Sequence, residues 1–152
     1  MTGIWNDPEL TDYRLRDGWV LTGDIGRLDE NGFLYVVDRV DDLIVSGGFN
    51  IWPAELEQTI AKMGPVREVA VFGVPHEKWG ETPMALVVVD DLGALDEEAV
   101  IEECRTHLGS YKKPSSVEFR TAPLPRSPVG KIQRKVIREP YWTGQERRVA
   151  GS

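Results

Sequence analysis

The stretch TPMALVVVD, residues 82–90, constrains the fold more than any other part of the chain. From Pro83 to Val89 it contains no polar side chain, and it ends in three consecutive valines. A run of this kind has no water-facing side. It is far shorter than the roughly 18 residues that would suggest a membrane span, and its β-branched residues favour a strand at the centre of a sheet. VREVAVFGV (66–74) reads as a second apolar strand beside it. Two helices can cover such a sheet. In PAELEQTIAKMG (53–64), Pro53 suits the first helical position and Glu55 and Glu57 suit the positive end of the dipole. Leu56, Ile60 and Met63 form one apolar stripe, and Gly64 can end the helix. In LDEEAVIEECRTHLG (95–109), Asp96 is the expected cap, Val100, Ile101, Cys104 and Leu108 face inward, and Gly109 terminates the helix.

The remaining segments are shorter. Ile25–Leu28 and Phe33–Val37 are predicted to form a hairpin, with DENG as its turn and Asn31-Gly32 at the positions that need positive φ. DDLIVSGGFNIW (41–52) gives two short extended runs broken by Gly47-Gly48, where glycine permits unusual backbone angles or the close approach of another group. SSVEFRTAP (115–123) is a further strand and residues 132–139 a short final helix. Residues 1–24 show no clear periodicity, and residues 141–152 are expected to form a disordered tail. Intermixed helices and strands with short connections predict an α+β fold: a small two-layer domain with a short, mostly antiparallel sheet packed against helices.

A chain of 152 residues suffices for one domain that buries roughly 70% of its unfolded surface. Its net charge of −7 argues against general nucleic-acid binding. The charge is uneven. Between Lys112 and Arg138 there are eight basic residues and one acidic residue, so this segment is strongly basic within an acidic chain. It reads either as a binding surface for an anion or as a solvated face. The single cysteine, Cys104, excludes an internal disulfide, fits a reducing cytoplasm and falls among core positions. MTGIWNDPEL lacks the basic and apolar regions of a secretory signal, and a cytoplasmic location is the expectation.

Within the basic segment, PRSPVGKIQRKV (125–136) puts Lys131 directly after a glycine in a loop bounded by prolines. Residue chemistry alone leaves open whether this lysine is an ordinary surface residue or a presented charge. The wider pattern bears on that choice. GWVLTGDIGRLDENGFLYVVDRVDDLIVSGGFNIWPAELE (18–57), GVPHEKWGETPMALVV (73–88) and YKKPSSVEFRTAPLPRSPVGKIQRKVIRE (111–139) resemble, in order, segments of the adenylate-forming acyl- and aryl-CoA ligases. The resemblance covers about residues 5–140.

That resemblance implies a division of the chain. Residues 1–38 would be the tail end of a large N-terminal domain, 39–41 a hinge, and 42–140 a C-terminal lid. The phosphate loop, the nucleotide and magnesium segment and the acyl pocket of such enzymes have no counterpart here. ATP with Mg²⁺ and coenzyme A are the implied cofactor and co-substrate, together with a fatty or aromatic carboxylic acid. The metal would travel with ATP and the large domain, and no metal ligands are expected in this chain. Lys131 matches the family's adenylation lysine and Asp41 its hinge residue. Asp24 matches the aspartate that accepts hydrogen bonds from the ribose hydroxyls, and Arg39 the arginine that reaches the nucleotide. The alternative for Arg39 is a salt bridge with Asp38. Gly47 and Gly48 match small residues of the pantetheine tunnel and Trp79 a position near it. Tyr111, Lys112 and Lys113 lie where related ligases contact the nucleotide end of coenzyme A. His76 and His107 match no catalytic position.

Three functions follow from these motifs: the lid of an acid–CoA ligase, the lid of an adenylation domain that loads a carrier protein, and a noncatalytic binding or regulatory module. Carrier-loading enzymes usually carry an Arg-rich run where this chain has SGGFNIWPAELE, which favours coenzyme A. The expected partners are the large domain of the same enzyme and its small-molecule substrates, with no nucleic acid and no membrane span. A dimer through an exposed hairpin edge is a further expectation.

Overall fold

The computed structural model describes residues 1–144. The chain forms two compact units, the first Met1–Asp41 and the second beginning at Asp42.

The first unit opens with helix α1, Pro8–Arg14. Asp7 caps it, its Oδ1 accepting from Leu10 N–H at 2.9 Å, and Pro8 follows the cap. This helix buries no residue, so it has no apolar stripe that periodicity could detect. Strands β1 (Leu15–Arg16) and β2 (Trp19–Val20) form a minimal hairpin in which Asp17 and Gly18 both have positive φ. Strands β3 (Asp24–Leu28) and β4 (Leu34–Arg39) pair antiparallel as the larger hairpin. Asp29 Oδ1 builds their turn by accepting from the backbone N–H groups of Asn31 and Phe33, each at 2.9 Å. The Phe33 bond is the main reason the Asp29 carboxyl lies below its ordinary pKa. Many large apolar side chains of this unit are solvent-exposed, including Trp19, Leu28, Phe33, Leu34 and Val36. The chain then passes through one 3₁₀ turn, Val40–Asp42.

The second unit is built on strand β8. Strands β5 (Ile44–Ser46) and β6 (Phe49–Ile51) form a tight hairpin, followed by helix α2 (Pro53–Ile60). Strand β7 (Val66–His76) pairs antiparallel with β8 (Gly80–Val89) along its length. β8 also meets β5 at Gly80, through Ser46, and β9 (Ser116–Arg120) in parallel from Met84 to Val88. Helix α3 (Glu97–Leu108) connects β8 to β9, capped by Asp96, whose Oδ1 accepts from Ala99 N–H at 2.7 Å. The only parallel pairing therefore belongs to the only helical crossover between paired strands among the described residues, as chain connection requires.

The alternation of side chains along β7 and β8 divides the interior in two. Val69, Val71, Ala85, Val87 and Val89 pack with Leu56 and Ile60 of α2 and Val100 and Cys104 of α3. Ala70, Phe72, Met84, Leu86 and Val88 point to the other face, against Leu124 and Ile137. Ile137 belongs to helix α4 (Arg134–Arg138). Both faces of β8 are thus covered, which is why its sequence shows no alternation. A second 3₁₀ turn, Glu139–Trp142, follows α4. The expected tail corrects at its start. Tyr141 packs on Phe72 with ring centroids 5.4 Å apart and donates to Glu118 at 2.7 Å, while Trp142 Nε1 donates to the Gly73 carbonyl at 2.8 Å. Two half-buried aromatics anchor this segment to the sheet through these contacts. The rest of the expected tail, 145–152, lies outside the described residues. No described helix is long and apolar enough to cross a membrane.

Candidate functional site

The two residues expected to meet a nucleotide are brought together in the first unit. Asp24 and Arg39 are cross-strand partners at the open end of the β3–β4 hairpin. Arg39 Nε lies 3.5 Å from Asp24 Oδ1, and both side chains are exposed. Asp38 instead is buried and accepts the Arg39 backbone N–H at 2.8 Å, so the ion pair of Arg39 is with Asp24. Gly23 O accepts from Val40 N–H at 2.9 Å. Asp41 is exposed and lies 4.0 Å from Arg14 Nη2, a loose contact that screening by water makes weak.

In the second unit, a cleft of about 300 Å³ opens at the start of β8. Gly47, Trp79, Tyr111 and Lys113 line it, together with Ser46, Phe49, His76 and the Thr82–Pro83 pair. Local geometry explains why glycine occupies 47 and 48. Both have positive φ, +57° and +88°, and together they form the two-residue turn between β5 and β6. Gly47 has a second requirement, because a Cβ there would sit 2.6 Å from Trp79 Cε3. The indole lies against the bare backbone, and Gly47 N–H donates to the Trp79 carbonyl at 3.3 Å. At Gly48 a Cβ would meet nothing within 4 Å, and Gly48 does not line the cleft.

Trp79 is held in turn by its neighbours. His76 Nδ1 accepts from the backbone N–H groups of Lys78 and Trp79, both at 3.2 Å, and the Lys78 ammonium lies 4.4 Å from the indole centroid. Across the cleft, Phe49 and Tyr111 face each other with centroids 5.0 Å apart. Lys113 points to the cleft, whereas Lys112 turns away to Glu55 on α2, 2.6 Å from its Oε2. Of the three-residue cluster read from sequence, Tyr111 and Lys113 line the cleft and Lys112 does not, although its ammonium stays 5.9 Å from the Tyr111 ring centroid. Phe49 and His76 line the cleft without having been singled out for it. The available signal was their adjacency to the Gly-Gly turn and to the EKWG turn.

Lys131 stands apart, on a hairpin whose ends meet at a bridge between Arg126 and Ile132. Ser127 N–H donates to Lys131 O and Gly130 N–H to Ser127 O, each at 2.8 Å, and Ser127 Oγ accepts from Lys131 N–H at 3.2 Å. Gly130 has φ +82°, which closes the turn. Arg126 donates to Gly130 O at 2.9 Å and reaches Glu68 on β7 at 3.0 Å. The lysine side chain is exposed, and among the described residues no carboxylate forms an ion pair with it. The backbone is thus braced while the charge remains available to an incoming anion. His107 is exposed on α3, its Nδ1 2.9 Å from Glu103 O, and it lines neither the cleft nor the lysine hairpin. No described group of three His, Cys, Asp or Glu side chains could hold a metal ion.

The second unit is a small mixed α+β domain that displays a lysine hairpin and, apart from it, a glycine-floored aromatic cleft. The chain belongs to the AMP-binding enzyme C-terminal domain family, whose model matches residues 55–131. It is 48% identical over 137 residues to the long-chain-fatty-acid–CoA ligase FadD13 of Mycobacterium tuberculosis (strain H37Rv), a match covering 90% of this chain and 27% of that protein. To the 2-succinylbenzoate–CoA ligase of Listeria monocytogenes it is 44% identical, covering 90% of this chain and 29% of the relative. Among solved structures, ATP-bound MatB from Rhodopseudomonas palustris superposes with a TM-score of 0.83 at 41% identity, over 91% of this chain and 28% of that one. The chain spans only about a quarter of the length of the curated relatives it matches.

Proposed function

We propose that this chain is the C-terminal lid of an AMP-forming acid–CoA ligase, with residues 1–38 contributing the last strands of the large domain, 39–41 the pivot and 42–140 the lid. In this reading the lid serves two half-reactions in turn. In the first, a carboxylate oxygen of the acid attacks the α-phosphorus of ATP, and the bond from that phosphorus to pyrophosphate breaks. Two anions must approach, and Lys131 offsets their charge. A compact ammonium on a flexible stem suits that task. In the second, the sulfur of coenzyme A bonds to the acyl carbon with loss of its proton, and the bond to AMP breaks. The Gly47, Trp79, Tyr111 and Lys113 cleft would accept the thiol arm and its nucleotide end, with Gly48 supporting the turn. Asp24 and Arg39 would meet the ribose and phosphate of the nucleotide, and rotation about Asp41 would exchange the two faces.

The observation that carries this reading is the separate placement of two kinds of chemistry. A braced hairpin presents an ammonium that pairs with no described carboxylate, and a distinct cleft, sharing no residue with it, is floored by glycine and walled by aromatics. Magnesium would enter with ATP on the large domain, since this ion is commonly held by substrate phosphates with one or two carboxylates. The exposed apolar residues of the β3–β4 hairpin support a large domain as their normal cover.

The test is single-turnover kinetics of each half-reaction in the complete ligase. Lys131→Ala is expected to slow pyrophosphate release by at least about 10²–10³-fold and to leave thioester formation from preformed acyl-adenylate intact. Gly47→Leu is expected to do the reverse. The chain by itself, given ATP, magnesium and a panel of acids, should release no pyrophosphate. Equal slowing of both halves by Lys131→Ala would sink the alternating-lid reading.

A further inference from the structure

Arg134 follows Lys131 by three residues and opens α4. Its guanidinium meets two carboxylates from distant parts of the second unit. Nε and Nη2 donate to separate oxygens of Glu57 on α2, at 3.1 and 2.6 Å. Nη1 donates to Asp42 Oδ2 at 3.3 Å. Glu57 is itself anchored, because its Oε1 also accepts the Val71 N–H of β7 at 2.8 Å. One planar fork thus joins the limb that follows Lys131, helix α2, the sheet and the first residue of the second unit. Only 16–22% of each of these three side chains is exposed, so the network is not an ordinary surface ion pair. Loss of the guanidinium would leave two partly buried carboxylates without their common partner.

The geometry points to Arg134 as the positioning residue for Lys131, and this rests on the reading of Lys131 as the adenylation lysine. The hairpin has two limbs. Arg126 ties the preceding limb to β7 through Glu68. Arg134 ties the following limb to α2 and, unlike Arg126, also to Asp42, the residue next to the proposed pivot Asp41. Of the two arginines that tether the hairpin, only Arg134 thus links the lysine limb to the residue beside that pivot, and its planar fork fixes the limb against both α2 and Asp42. Lysine cannot replace it, because a point charge on a flexible stem cannot satisfy three acceptors in the fork geometry. Arg134 touches no reacting atom in this scheme. It fixes where the Lys131 ammonium arrives, and a displacement of about 1 Å at such a position costs on the order of 10²-fold in rate.

The test compares Arg134→Lys, Glu57→Gln and Lys131→Ala in the complete ligase. Arg67→Ala serves as a control that removes an exposed ion pair, with Asp90, elsewhere on the lid. Single-turnover adenylation, thioester formation from preformed acyl-adenylate, the KM for ATP and the melting temperature are measured for each. Arg134→Lys is expected to slow adenylation by about 10- to 10²-fold, with the KM for ATP and the second half-reaction unchanged. Glu57→Gln should follow in the same direction, and Arg67→Ala should change neither half. Should Arg134→Lys fold poorly, Glu57→Gln supplies the same comparison while keeping an oxygen for Val71. Equal slowing of both half-reactions together with a lowered melting temperature would make the fork a general scaffold and overturn the proposal. Adenylation lost in Lys131→Ala but retained in Arg134→Lys overturns the positioning role alone. Adenylation retained in Lys131→Ala overturns the reading of the lysine, and this proposal with it.

Discussion

Adding one methyl group at Gly47 separates two reasons for glycine that coincide in the wild-type turn. The backbone there has φ +57°, where an L-residue costs about 1–2 kcal/mol. The new Cβ would also lie 2.6 Å from Cε3 and 3.1 Å from Cζ3 of Trp79. Relief of that overlap by a shift of ring or backbone adds about 1–3 kcal/mol. Trp79 is 44% exposed and can swing outward, which places the added cost at the lower end of that range. Gly47→Ala should therefore destabilise the chain by about 2–4 kcal/mol, measured by urea unfolding followed by far-UV circular dichroism. In a Trp79→Ala background only the backbone cost remains. The two substitutions should couple by at least about 1 kcal/mol, well beyond the few tenths expected of independent sites. Gly48→Ala is the internal comparison, because its φ is +88° but its Cβ would meet nothing. It should show the backbone cost alone and no coupling to Trp79. If Gly47→Ala costs the same with and without the indole, the ring does not rest on that glycine and the packing argument is wrong.

Two further perturbations address the core. Leu56 is fully buried between α2 and the sheet, and Leu56→Ala should cost about 2–5 kcal/mol by the same urea measurement; a cost below 1 kcal/mol would mean that the α2 interface is loosely packed. Burial pushes the Cys104 thiol from its ordinary value of 9.0 up to about 11, with a smaller contribution from Glu103. The folded state holds this proton more tightly than the unfolded chain does. The associated stability is whole below pH 9 and is lost progressively as pH rises toward 11, by at most about 2–3 kcal/mol. Cys104→Ala removes that titration, so the stability gap between wild type and variant should move against the wild type across this window; a gap independent of pH would show that the thiol is not desolvated.

Much of the architecture could be read from local chemistry. The apolar runs 66–74 and 82–90, the Pro53 and Asp96 helix starts and the Gly109 stop all lie where the structure places strands β7 and β8 and helices α2 and α3. Each is a short-range signal in which a residue restricts its own backbone or satisfies an orphan N–H nearby. Helix α1 and the β1–β2 hairpin escaped the same reading. With no buried face they carry no periodic pattern, and only Asp7-Pro8 and Asp17-Gly18 marked them.

Sequence by itself determined that Lys131 sits on a glycine turn among prolines, that Gly47 and Gly48 form a special turn, and that a central strand has no exposed face. The two turns depend on neighbours a few residues away, and the buried strand follows from an unbroken apolar run that a folded chain must cover on both sides. Only the tertiary structure decided which groups meet. It brought Phe49, Trp79, Tyr111 and Lys113 around one cleft, turned Lys112 away to Glu55, paired Arg39 with Asp24 rather than Asp38, and joined Arg134 to Glu57 and Asp42. The partners of Arg134 are 77 and 92 residues away along the chain. No local preference encodes such distances. They are set by the pairing of β7 with β8 and by helices packing on both faces of that pair, because burying apolar surface fixes the backbone first and leaves the charged side chains to find partners within reach.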